Sequence, residues 1–135
     1  MDIGAAIVIG AVLASAGWVF GQRQTRKLSR LEHTFRVLDG YRDDTDHWKA
    51  NDRFVAMAKR NDLPSPDDSH RDQDIEALRR LLIHYEYIAA GIFTGGLDEA
   101  MVRECDRGNI VNLSQHAADY IQALREGMSR SMLKS

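Results

Sequence analysis

The sequence predicts an all-α protein: one N-terminal transmembrane helix that continues into a stalk, then a small cytoplasmic bundle built on an antiparallel helical hairpin. Three observations predict it. Residues 3–21 carry no charge. Apolar residues recur at helical spacing through most of the remaining chain. The chain is poor in proline, with 2, and in aromatics, at 7% of residues, which suits helices better than a β-sandwich.

The 135 residues suffice for one domain. They divide into an anchor over 1–22, a basic stalk over 23–40, a helical domain over 41–127 and a flexible tail over 128–135. The net charge of −2 conceals a gradient. Residues 1–38 hold five basic and two acidic side chains, residues 39–76 six and eleven, and residues 77–135 seven of each. A positive stretch directly after an apolar segment suits anionic lipid headgroups. The acidic middle excludes a nucleic-acid surface, which needs a concentrated basic face. The single cysteine, Cys105, rules out an intramolecular disulfide and is expected to be buried.

The apolar stretch over 3–21 would be about 28 Å long as a helix, close to the hydrocarbon thickness of a bilayer. Trp18 lies where an indole favours the interface, and Arg23, Arg26 and Lys27 follow at once, with Arg30 one turn on. The basic cluster on the C-terminal side predicts an outside N-terminus and a cytoplasmic domain. A cleaved leader fits less well, because the first residues contain Asp2 and no Lys or Arg. Ala6, Gly10, Ala14, Gly17 and Gly21 put small residues on one side of the anchor, where another helix backbone can approach.

Leu28, Leu31, Phe35 and Leu38 step by three, four and three, giving the stalk an apolar stripe that ends near Gly40. Thr45 or Asp46 is expected to cap a second helix running to about Arg60, with Trp48, Phe54, Val55, Met57 and Ala58 on its apolar side. The two prolines of Leu63-Pro64-Ser65-Pro66-Asp67-Asp68 break it. Two acidic clusters, Asp43, Asp44, Asp46 with His47 and Asp67, Asp68, Asp72, Asp74 with His70, have metal-ligand chemistry but no recognised metal-site spacing. They read as helix N-termini complementing the macrodipole, so no metal and no cofactor is assigned.

Asp72 or Asp74 opens a third helix whose wide apolar face includes Leu78, Leu82, Tyr85, Ile88, Ala89 and Ile92. Gly95-Gly96 ends it, and Asp98 caps the fourth. The fourth continues through Val102, Ile110, Leu113, Ala117 and Leu124, with a kink or break expected at Gly108-Asn109. Glu86, beside the apolar face, is expected to be a partly buried carboxylate that fixes helix register. His84 and His116 are read as packing residues. No catalytic residue is assigned.

The run Leu81-Leu82-x-His84-Tyr85-Glu86-Tyr87-Ile88-Ala89-Ala90-Gly91-Ile92, followed by Gly96-x-Asp98-Glu99, resembles the hallmark of the family called domain of unknown function 4760. The resemblance extends through Arg107-Gly108-Asn109-Ile110-Val111 and Tyr120-Ile121-x-x-Leu124-Arg125, and covers about residues 48–125. It implies a small bacterial or phage protein, frequently with one N-terminal membrane helix, and hence the bacterial inner membrane. It supplies no activity. Family members often carry Asn where this chain has His84, and many continue past the last helix with an acidic, aromatic segment. The expected function is therefore a non-catalytic interaction module whose partners are the lipid bilayer and either further copies or another membrane protein. No nucleic acid and no small-molecule substrate is expected. Two other readings are a phage-encoded membrane effector or exclusion factor, and a metal-dependent membrane enzyme using Glu86 with a nearby histidine.

Overall fold

A computed structural model describes residues 2–132, with side chains for residues 2–130. Four helices follow one another: α1 (Ile3–Gly40), α2 (Thr45–Lys59), α3 (Asp72–Phe93) and α4 (Glu99–Met132), with no strand among the described residues. The segments expected as anchor and stalk form one unbroken helix about 57 Å long at the usual rise. It stops at Gly40 as the sequence indicates.

The N-terminus of α2 differs from expectation. Neither Thr45 nor Asp46 caps it. Asp44 does, because its backbone is extended and its Oδ1 accepts from the His47 N–H at 3.1 Å. Just before it, the Arg42 carbonyl accepts from the Trp48 indole N–H at 2.9 Å, folding the α1–α2 corner onto the first turn of α2.

Asp74 is not the solvated helix-end acid that its position suggests. Its carboxylate accepts from Arg53 of α2 at 2.7 Å and from Arg71 at 2.9 Å. Arg71 also bonds Asp62, through the carboxylate at 3.0 Å and the carbonyl at 2.7 Å, which closes the proline loop. The hydrogen bond from Arg53 is the foremost cause that holds the Asp74 carboxyl below the usual range.

Gly95 adopts a left-handed backbone, φ +80°, at the end of α3. Its N–H reaches the Ile92 carbonyl at 3.0 Å, while the Gly96 N–H reaches that of Gly91 at 2.9 Å, the paired bonds of a Schellman stop. Leu97 folds back over Gly91, where an added Cβ would lie 2.6 Å from the leucine Cδ1. Gly91→Ala should therefore cost about 1–3 kcal/mol through displacement of the buried Leu97, read as a lower melting temperature of the full chain in detergent. Asp98 caps α4 as expected, its Oδ1 accepting from the Met101 N–H at 2.9 Å.

α4 is not split at Gly108-Asn109. The Asn109 side chain donates to Asp106 on the preceding turn at 2.7 Å, and the helix runs on through Met132. The expected tail is thus helical as far as residue 132, and residues 133–135 lie outside the described residues.

The core has two parts. Phe54, Met57 and Ala50 of α2, Leu78 and Leu81 of α3, and Leu113, Ala117 and Tyr120 of α4 form the larger. Ile88, Leu97 and Val102 form the smaller, against which Val37, Leu38 and Tyr41 at the end of α1 pack. The most extensive backbone contacts are α2 on α3, followed by α1 on α4.

Candidate functional site

The stalk meets the bundle along a face centred on Thr34, which takes in Leu38 at the edge of the apolar stripe and leaves Leu28 and Phe35 outside. Thr34 is 0% exposed, whereas Leu28 and Phe35 of the stripe are 64% and 61% exposed. The Thr34 hydroxyl donates to the Arg30 carbonyl at 2.7 Å and accepts from the Asp98 N–H at 2.8 Å. A hydroxyl on α1 thus satisfies the backbone of the residue whose carboxylate caps α4. Nothing in the residue pattern marks Thr34 beyond its place one turn ahead of Leu38. Thr34→Val should leave the Asp98 N–H without its partner and cost about 1–3 kcal/mol. Thr34→Ser should recover most of it, both measured by thermal unfolding in detergent.

Next to this joint lies a buried aromatic and imidazole cluster. The His84 ring sits 4.1 Å from Tyr41, edge to face, and 4.4 Å from His47, with Tyr85 at 4.7 Å. α1, α2 and α3 all contribute, because Tyr41 follows the last turn of α1 and His47 opens α2. His84 is 7% exposed, and its Nδ1 is buried without a hydrogen-bond partner. Burial, and then the neighbouring His47, push the imidazole down to about 4, against the opposing pull of Asp106 and Asp44. His84 is therefore neutral at pH 7 and acts as a packing wedge.

The Tyr85 hydroxyl, also buried, faces the Asp106 carboxylate and Asn109 amide of α4 without closing a well-aligned hydrogen bond. Burial and then the Asp106 charge raise this phenol well above its ordinary range, and burial raises Tyr41. Tyr41, His47, Asp106 and Asn109 were not legible as partners. Their convergence depends on how the helices cross.

Other expected site residues fall in several environments. Ile88 is buried and Leu82 half-buried, while Ala89, Gly95 and Gly96 are exposed and Asp98 is half-buried. Glu86 is exposed, which corrects its reading as a partly buried register carboxylate. The inward face of α3 passes through Leu81, His84 and Ile88, and Glu86 lies off that line. Cys105, expected buried, is exposed because α4 turns Val102 and Asp106 inward instead. Among the described residues no three His, Cys, Asp or Glu side chains are grouped to hold a metal ion. Asp44 and Asp74, from the two acidic clusters, are engaged as a cap and as an ion-pair bridge.

The remaining expected residues lie on the free part of α1. Residues 2–30 are all exposed. α1 is the one described helix long and apolar enough to cross a membrane, its apolar window having a mean hydropathy of 2.2. Trp18 stands exposed about one and a half turns before Arg23, with Arg26 and Lys27 on the turn after that. Ala6, Gly10, Ala14, Gly17 and Gly21 are uncovered, and a Cβ built on Gly10, Gly17 or Gly21 would meet nothing within 4 Å.

No curated protein and no solved structure matches the chain. The family described as Domain of unknown function (DUF4760) matches residues 4–133, taking in α1 as well as the hairpin. With that match spanning both the apolar helix and the bundle fastened to it, the chain belongs to the DUF4760 family.

Proposed function

We propose that this protein is a membrane-tethered, non-catalytic interaction module. Residues 3–21 cross the bilayer once, and α1 continues as a rigid arm that holds the helical bundle at the surface. The observation that carries this reading is the division of α1. Its apolar half makes no buried contact, while its far end is fixed to the bundle by the bond between Thr34 and Asp98. A helix exposing that much apolar surface needs lipid or protein around it. Arg23, Arg26, Lys27 and Arg30 favour a cytoplasmic bundle and an outside N-terminus in a bacterial inner membrane.

The test is alkaline carbonate extraction of bacterial membranes, followed by protease treatment of spheroplasts carrying a C-terminal tag. The tag should stay in the membrane pellet and be protected until the cells are lysed. Release by carbonate would remove the tether. Digestion of the tag in intact spheroplasts would reverse the orientation.

A further inference from the structure

The bundle leaves one side of α1 uncovered on the water side of the apolar segment. Leu28 and Phe35 are both more than half exposed there, although Leu31 between them is half-buried. Leu28 points about 120° around the helix from Thr34, the residue that docks the bundle. The same uncovered side continues into the apolar segment without a change of phase. Counting from Gly10 in alternate steps of four and three reaches Gly21, then Leu28 and Phe35. That is a repeat of seven residues, which winds helices around one another with a left-handed twist. Small residues line it where two backbones would meet in lipid, and larger ones where they would meet in water.

We infer that α1 pairs with α1 of a second copy of this chain, in parallel, along a seam from Gly10 to Phe35. The pairing rests on the tether proposed above, because a shared membrane gives every copy the same orientation and confines them to one layer. Charge complementarity selects a second copy in that orientation. Lys27 and Glu32 are exposed and flank the seam five residues apart. In a parallel pair this spacing sets Lys27 of each copy against Glu32 of the other, twice by symmetry. Glu32 can turn toward that lysine from Arg36, its present partner on the same exposed helix surface. Gln24 occupies a seam position just beyond the apolar segment, where two facing amides would bond each other and fix the register. The bundles are fastened at Thr34 on another side of α1, and of the seam positions only Leu31 is half-buried, the rest being exposed.

The full chain in native membranes tests this, with Cys105→Ser removing the exposed thiol. Leu28→Cys and Phe35→Cys should each give a disulfide-linked dimer on mild oxidation with copper phenanthroline. Ser29→Cys, one residue off the seam, should not. Adding Lys27→Glu to the Leu28→Cys chain should cut the dimer yield about threefold, and Glu32→Lys in the same chain should restore it. Equal yields at positions 28 and 29, or no dimer at either seam position, would overturn the pairing. Carbonate extraction of the same membranes separates the two ideas: a chain that resists extraction but forms no dimer loses the pairing and keeps the tether.

Discussion

Phe54→Ala should destabilise the bundle by about 3–5 kcal/mol, the usual cost of removing a fully packed aromatic ring. Phe54 is 2% exposed and sits among Met57, Leu78 and Leu81, none more exposed than itself. It lies on α2, the helix in most extensive backbone contact with α3, and its ring also faces His116 of α4 at a centroid distance of 6.5 Å. Three helices therefore lose contact at once, and a cavity this central cannot collapse without moving α2. For a bundle of this size the loss corresponds to a fall in melting temperature of about 15–30 °C. The full chain in a mild detergent, followed by circular dichroism, would report it. The apolar half of α1 makes no contact with this cluster, so part of the helical signal should survive the transition. A drop of only a few degrees would mean that the larger cluster does not govern the stability of the bundle.

Several boundaries were legible because they depend on residue chemistry within one turn. The uncharged run of α1, the stop at Gly40, the glycine turn after α3 and the Asp98 cap belong to that class. The α2 cap was not, because Asp44, Thr45 and Asp46 are adjacent residues of cap-forming type and only the backbone path chooses among them. The docking side of the stalk was not legible for a different reason. Leu28 and Phe35 are as apolar as Leu38, but the docking side of α1 is fixed by the bond from Asp98 to Thr34, 64 residues apart in sequence. Glu86 and Cys105 show the same limit on α3 and α4. Each sits beside an apolar stripe, and a shift of one residue in the buried line puts it in solvent. The His47 and His84 contact required α2 and α3 to cross at one height, which a periodicity along either helix does not encode.

That contact gives the bundle an acid-sensitive point. In the folded chain His84 is pushed down to about 4 from its ordinary 6.5, burial being the larger cause and His47 the next. Above about pH 6.5 the ring is neutral whether the chain is folded or not, and its contribution to stability is complete. Between 6.5 and 4 the unfolded chain takes up a proton that the folded chain refuses, so stability falls with pH. The loss should approach about 2–3 kcal/mol near pH 4, allowing for partial access of solvent at the edge of the bundle. Asp74, also depressed, acts in a lower window, since its contribution is lost only as pH drops below the ordinary carboxyl value of 3.8. Melting the full chain at pH 7.5 and pH 4.5 should therefore keep Asp74 largely out of the comparison. The wild-type chain should melt at a clearly lower temperature at pH 4.5, and His84→Asn, which carries no charge at either pH, should lose most of that difference. An unchanged wild-type melting temperature would mean that the His84 ring admits a proton without leaving its place between Tyr41 and His47. The same pH dependence in both chains would transfer the effect to other groups. With Tyr41 4.1 Å away on one side and His47 4.4 Å away on another, a charged ring is buried among neighbours that the pull of Asp106 and Asp44 does not outweigh, so loosening of the joint between α1 and the bundle is the expected first step of acid unfolding.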